Sequence, residues 1–147
     1  MWTSMRDNMM FEVRNVIPVP EGSHSAHIIG GRAVVHHNNS NKLMEYREAV
    51  ADAYRKSGGY YHHDAPISIQ MCFLFPRPKT VKQKKRPYMT VKPDLDKLIR
   101  STLDALTGVA YDDDSQVIDI TSSKIYDDYS DYYGVEIFID EAVIDND

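Results

Sequence analysis

Residues 67–75, ISIQMCFLF, lie between Pro66 and Pro76 and place Ile67, Ile69, Met71, Phe73 and Phe75 at every second position. A period of two is that of an extended strand with these side chains on one face. The other face also holds Cys72 and Leu74, so the strand is expected in a sheet covered at least partly on both sides. A lone strand is not stable in water, and the rest of the chain must supply both partners and cover.

The partners are readable. MFEVRNVI (10–17) has strand composition and stops at Pro18 and Pro20. HIIGGRAVVHH reads as two short strands around Gly30 and Gly31, since paired glycines suit a tight hairpin. SQVIDITSSKIY and YGVEIFIDEA read as two further strands with DDYSD as the turn between them. Cover comes from two amphipathic helices. In NKLMEYREAVADAYRKSGG, Leu43, Tyr46, Val50, Ala51 and Tyr54 recur at helical spacing, with capping residues among Asn38 to Asn41 and a stop at Gly58-Gly59. After Pro93, Leu95, Leu98, Ile99, Thr102, Leu103 and Leu106 do the same up to Gly108. The expectation is an α/β fold: a small mixed sheet with two main helices packed on it, in one domain over 1–147.

The longest uninterrupted apolar run, Met71 to Phe75, falls far short of the roughly 18 residues a membrane span needs, so the chain is read as soluble, with no membrane partner. Its single cysteine, Cys72, allows no internal disulfide and points to a reducing compartment. Set inside an apolar strand, Cys72 is read as a packing residue rather than a nucleophile. His36-His37 and His62-His63 are adjacent pairs whose side chains point to opposite faces in a strand, and they are read as structural or surface residues.

The net charge of −5 conceals a strong segregation. From residue 77 to residue 100 there are nine basic residues against two acids; from residue 112 to the end there are twelve acids against Lys124 alone. Fields are screened within about 10 Å at ordinary salt, so a local basic stripe can hold a polyanion whatever the total. Residues 77–92 lack periodicity and read as a mobile loop, whose Arg77, Lys79, Lys82, Lys84, Lys85, Arg86 and Lys92 are the expected contacts to a nucleic-acid backbone.

Directly after that loop comes KPDLDKLIRSTLDALTGVAYDDDSQV (92–117), with six aspartates. In a regular helix the two acids of Asp-x-Asp are about 200° apart. If Asp94 is extended and Asp96 lies in the first turn, both can face one point, a geometry that Pro93 favours. Adding Asp114 or Asp113 would crowd like charges unless a cation is present. Oxygen donors alone select Mg²⁺ or Mn²⁺ rather than Zn²⁺. The plainer alternative is that Asp94 or Asp96 caps the helix, Asp104 pairs with Arg100, and the DDDS stretch is a solvated turn.

The same stretch resembles the signature of the RusA family of Holliday-junction resolvases: a D-L-D-N-L-x-K helix start, then D-A-L, a short Gly-containing loop, and D-D-x-Q-V leading into a strand. The likeness is close over 92–118, extends loosely to FLFPRPK, and is weak before residue 66. It implies a small homodimeric RusA-like α/β endonuclease that cuts four-way DNA junctions symmetrically with Mg²⁺. The family's essential acids fall on Asp94, Asp96 and Asp114, with Asp113 at the neighbouring acidic position. The family lysine falls on Arg100 and the motif asparagine on Lys97. Arginine stays protonated, so its role there would be electrostatic, and Lys97 adds a second basic group. Asp104 and Asp112 are left as ordinary surface residues. VIPVPEGSHSAH departs from the family's basic, proline-rich start, with no Lys or Arg from Val16 until Arg32. The resemblance implies a bacterial or phage-infected host cytoplasm. The alternatives are a branched-DNA-binding protein without nuclease activity and, less in keeping with the chain length and basic loop, a metal-dependent sugar transferase.

Overall fold

A computed structural model of the chain describes residues 10–22, 24–29, 32–37, 40–129 and 132–143. The element order is β1 (Met10–Arg14), β2 (His24–Ile29), β3 (Arg32–His37), α1 (Ser40–Lys56), β4 (Ile67–Pro76), α2 (Leu95–Leu106), β5 (Val117–Asp127) and β6 (Gly134–Glu141). One sheet has the order β1-β6-β4-β5, and β2 and β3 form a separate antiparallel pair. The fold is α/β, as the sequence pattern implies. Gly30-Gly31, the residues Asn38 and Asn39, and part of the DDYSD turn lie outside the described residues.

β4 runs parallel to β5 and antiparallel to β6. A parallel pair needs a long crossover, and here residues 77–116, with α2 inside them, provide it. On the helix-facing side of the sheet, Ile67, Ile69, Met71, Phe73 and Phe75 join Phe11, Val13, Val135, Ile137 and Ile139 in one core. Tyr46, Val50 and Tyr54 of α1 and Leu98, Ala105 and Leu106 of α2 complete that core. The Tyr46 hydroxyl meets Thr102 Oγ1 at 2.8 Å in the interior, tying the helices together where no water could serve. The opposite face is only partly covered: Leu74 is buried, Cys72 half-buried and Gln70 exposed. Burial raises the pKa of the Cys72 thiol, in keeping with a packing role.

β1 is shorter than its strand-like composition suggests. Asn15 turns to φ 63°, and its N–H donates to Tyr133 O at 3.0 Å, so the chain leaves the sheet before Val16. Across from it, Gly134 has φ 146°, and a Cβ there would lie 1.8 Å from Val13 O. Only glycine permits this close approach of β6 to β1. No helix among the described residues is long and apolar enough to cross a membrane.

Candidate active site

α2 begins at Leu95, with Asp94 extended (φ −70°, ψ 137°) and Asp96 in the first turn, the arrangement under which both carboxylates can face one point. The Leu98 N–H closes the first turn onto Asp94 O at 3.1 Å, while the Asp94 side chain makes no capping bond. The capping alternative therefore does not hold for Asp94. Its carboxylate is exposed and lies 3.7 Å from Lys97 Nζ. Asp96 is exposed, with no ion pair or hydrogen bond to its side chain among the described residues. Arg100 is one helical turn beyond Asp96 and is also exposed.

The approach to Asp94 is held from the sheet. Lys124 of β5 donates from Nζ to Val91 O at 2.5 Å and to Pro93 O at 2.8 Å. Lys124, the lone cation of the acidic C-terminal part, thereby fixes the two residues flanking Lys92. The Ser101 hydroxyl donates to Val19 O at 2.6 Å and the Glu21 N–H to Lys97 O at 2.9 Å, so the proline loop is also fastened to α2.

The second acidic cluster is more heavily bonded. Gly108, at φ 77°, donates to Tyr111 O at 2.7 Å, and the buried Tyr111 hydroxyl donates to Leu103 O at 2.7 Å. Burial raises the Tyr111 pKa, with the nearby charges of Asp114, Asp104 and Asp113 adding to the effect. Gln116 then organises the turn with both ends of its amide. Its Oε1 accepts from the N–H groups of Asp112 (2.8 Å) and Asp113 (2.9 Å), and its Nε2 donates to His62 O and Ala65 O at 3.0 Å each.

Asp112 is not the ordinary surface residue expected. It accepts from the Tyr61 hydroxyl at 2.8 Å and from Asp64 N–H at 3.4 Å, with His63 Nδ1 at 3.3 Å. These contacts, the Tyr61 bond first, hold its carboxyl below the usual range. Asp113 caps the short 3-10 turn Asp114–Gln116, accepting from Ser115 N–H at 3.2 Å, and the Ser115 side chain first, then this backbone bond, lower its pKa. Asp114 is exposed, and its carboxylate has no bonded partner among the described residues. His62 is structural and His63 a surface residue, within the expectation: His62 is buried with Nδ1 3.0 Å from Glu141 and its backbone N–H donating to Ala110 O, while His63 is exposed. Asp104 also departs from expectation, since it bonds Arg47 of α1 at 3.2 Å, and Arg47 in turn pairs with Glu21.

The basic segment is irregular, as expected, but it is tethered rather than loose. Arg77 bonds Asp128 (2.6 and 3.2 Å), Arg86 O (2.5 Å) and Pro87 O (3.3 Å), and lies over the Tyr126 ring at 4.3 Å. Met89 is buried in the core. Arg77 thus anchors the loop, while Lys79, Lys82, Lys84, Lys85 and Lys92 remain exposed. Arg86 is half-buried near the same ring.

Among the described residues no three His, Cys, Asp or Glu side chains are gathered closely enough to hold a metal ion as they stand. The donor chemistry of Asp94, Asp96 and Asp114 nonetheless suits a hard ion, being all oxygen and free of structural duties.

The exposed carboxylates of Asp94, Asp96 and Asp114 and the anchored cationic loop are thus carried by one small mixed-sheet α/β domain. Residues 6–140 match the family described as Endodeoxyribonuclease RusA. The chain belongs to this family. It is 33% identical over 136 residues to the uncharacterized protein YqaN of Bacillus subtilis, covering 85% of this chain and 91% of that protein. It is also 31% identical over 71 residues to the crossover junction endodeoxyribonuclease rusA of Lactococcus phage r1t, covering 46% of this chain and 51% of the phage protein.

Proposed function

We propose that this endodeoxyribonuclease cuts four-way DNA junctions by paired symmetric hydrolysis, as a homodimer using Mg²⁺ or, in its place, Mn²⁺. The observation that supports the reading is the division among the acids: Asp112, Asp113 and Asp104 bond groups elsewhere in the fold, whereas Asp96 and Asp114 are exposed and unbonded among the described residues and Asp94 is exposed with only Lys97 beside it. A hard cation on these oxygens supplies charge neutralisation at the phosphate and activation of the attacking water. Lys97, 3.7 Å from Asp94, can bind a phosphate oxygen and deliver a proton to the departing oxygen. Arg100 remains charged throughout and steadies the developing negative charge. The exposed lysines of the anchored loop hold the flanking backbone.

Two sites related by a two-fold axis suit a two-fold symmetric substrate. Action in a bacterial or phage-infected cytoplasm accords with the phage relative and with the single reduced cysteine.

Incubation of an end-labelled synthetic four-way junction with protein and either Mg²⁺ or chelator tests the proposal. Paired symmetric nicks that require the ion and disappear in Asp94→Asn are the expected result. Tight binding with no nick in any divalent ion would favour the non-catalytic junction binder, for which Arg100 at the family's lysine position is the specific pointer.

A further inference from the structure

A cleft of about 570 Å³ opens beside Asp94, within the roughly 300–1,000 Å³ of small-ligand sites. Its walls are apolar, formed by Ile17, Val19, Met89, Val91 and the ring of Tyr126. They are also fixed: Ser101 holds Val19 O, Lys124 holds Val91 O, and Arg77 stacks on Tyr126. Tyr126 is 9% exposed, and its hydroxyl is buried with no hydrogen-bond partner among the described residues.

The charged side chains around this apolar space leave a cationic excess. Lys42, Lys92 and Lys97 line it together with two acids, Glu21 and Asp94. Glu21 is paired with Arg47 and Asp94 with Lys97, which leaves Lys42 and Lys92 as the unbalanced charges among the described residues. An apolar slot with an unpaired hydroxyl and a cationic rim matches the two halves of a nucleotide, a flat base and its phosphate. A base in regular duplex is stacked and out of reach, whereas a base at a crossover has an interrupted stack and is easier to extrude.

We propose that this cleft receives one unstacked nucleobase next to the phosphate presented to Asp94, Asp96 and Asp114, and so selects where along a junction the cut falls. The proposal rests on the nuclease reading of the adjoining site. It assigns to the proline loop, whose residues 15–23 include no Lys or Arg, a part in base contact rather than phosphate contact.

The test is a series of four-way junctions carrying 2-aminopurine at successive positions around the crossover, bound in Ca²⁺ to avoid cutting. Wild-type protein should raise the emission several-fold at one position, and Ile17→Gln/Val91→Gln should abolish most of that rise. Both side chains are more than a third exposed (53% and 38%), so the double variant retains its core, which a thermal melt verifies. Emission unchanged at every position, or a rise that persists in the variant, overturns the proposal. So does altered sedimentation of the free variant with normal emission, which would make the cleft a contact between copies. Nicking in Mg²⁺ with silent 2-aminopurine removes the base site and leaves the nuclease; a positional rise without nicking does the reverse.

Discussion

The two acidic segments of this protein are built on opposite plans. At the start of α2, the backbone is held by other residues: Lys124 grips Val91 O and Pro93 O, and the helix takes Asp94 O. Asp94 and Asp96 can therefore remain exposed and uncommitted to the fold. In the turn before β5, the acids are themselves the scaffold, with Asp112 tied to Tyr61 and Asp113 capping the 3-10 turn. Only Asp114 is released there. A row of aspartates thus leaves one carboxylate unbonded or none according to what its neighbours must do for the backbone.

Substitutions within the turn provide the sharpest break of this comparison. Asp114→Asn should reduce junction nicking by more than the ~10–100-fold typical of groups that stand behind a metal ligand, while Asp112→Asn should retain most of the rate and lower stability. A reversed order, read from initial rates and thermal melts of the two variants, would exchange their roles. Next in size is Gln116→Ala, which removes four hydrogen bonds and misplaces Asp114. Nicking should fall ~10–100-fold, with a stability loss of about 1 kcal/mol because the freed backbone groups reach water. A wild-type rate in this variant would mean that the turn holds its shape without the amide.

On the helix side, Lys124→Met should slow nicking about 10-fold and raise the Mg²⁺ concentration needed for half-maximal rate, with Lys124→Arg restoring part of it. An unchanged Mg²⁺ requirement would show that the approach to Asp94 is held by other contacts. The smallest effect concerns pH. The Tyr61 hydroxyl keeps the Asp112 pKa low, so the tie contributes fully above the ordinary carboxylate value of about 3.9 and fades as pH falls through the lower folded value. In Tyr61→Phe the Asp112 midpoint, followed by NMR titration, should move up toward the ordinary value. No movement would remove that bond from the account.

The parts of the fold that the sequence exposes are those written in local periodicity. The five apolar residues marked on β4 and the five marked on α1 are all buried, because a period of 2 or 3.6 states which side must leave water. The placement of Asp94 outside the helix and Asp96 within it was equally legible, from Pro93 and the start of the apolar pattern. Sheet order was not, since nothing local says that β6 lies between β1 and β4. Gln116 went without a role for the same reason: its partners His62 and Ala65 are 54 and 51 residues away. Arg77 reads as one more cation of the loop until Asp128 and Tyr126 are brought beside it.

The central claim is that one hard cation is shared by Asp94, Asp96 and Asp114 but not by their engaged neighbours. Calorimetric titration of Mn²⁺ into wild type and the variants Asp94→Asn, Asp96→Asn, Asp114→Asn and Asp112→Asn measures it most directly. Each of the first three should weaken binding by about 10-fold or more, and Asp112→Asn should stay within a factor of about three. Wild-type affinity in Asp114→Asn, with loss in Asp112→Asn, would contradict the assignment.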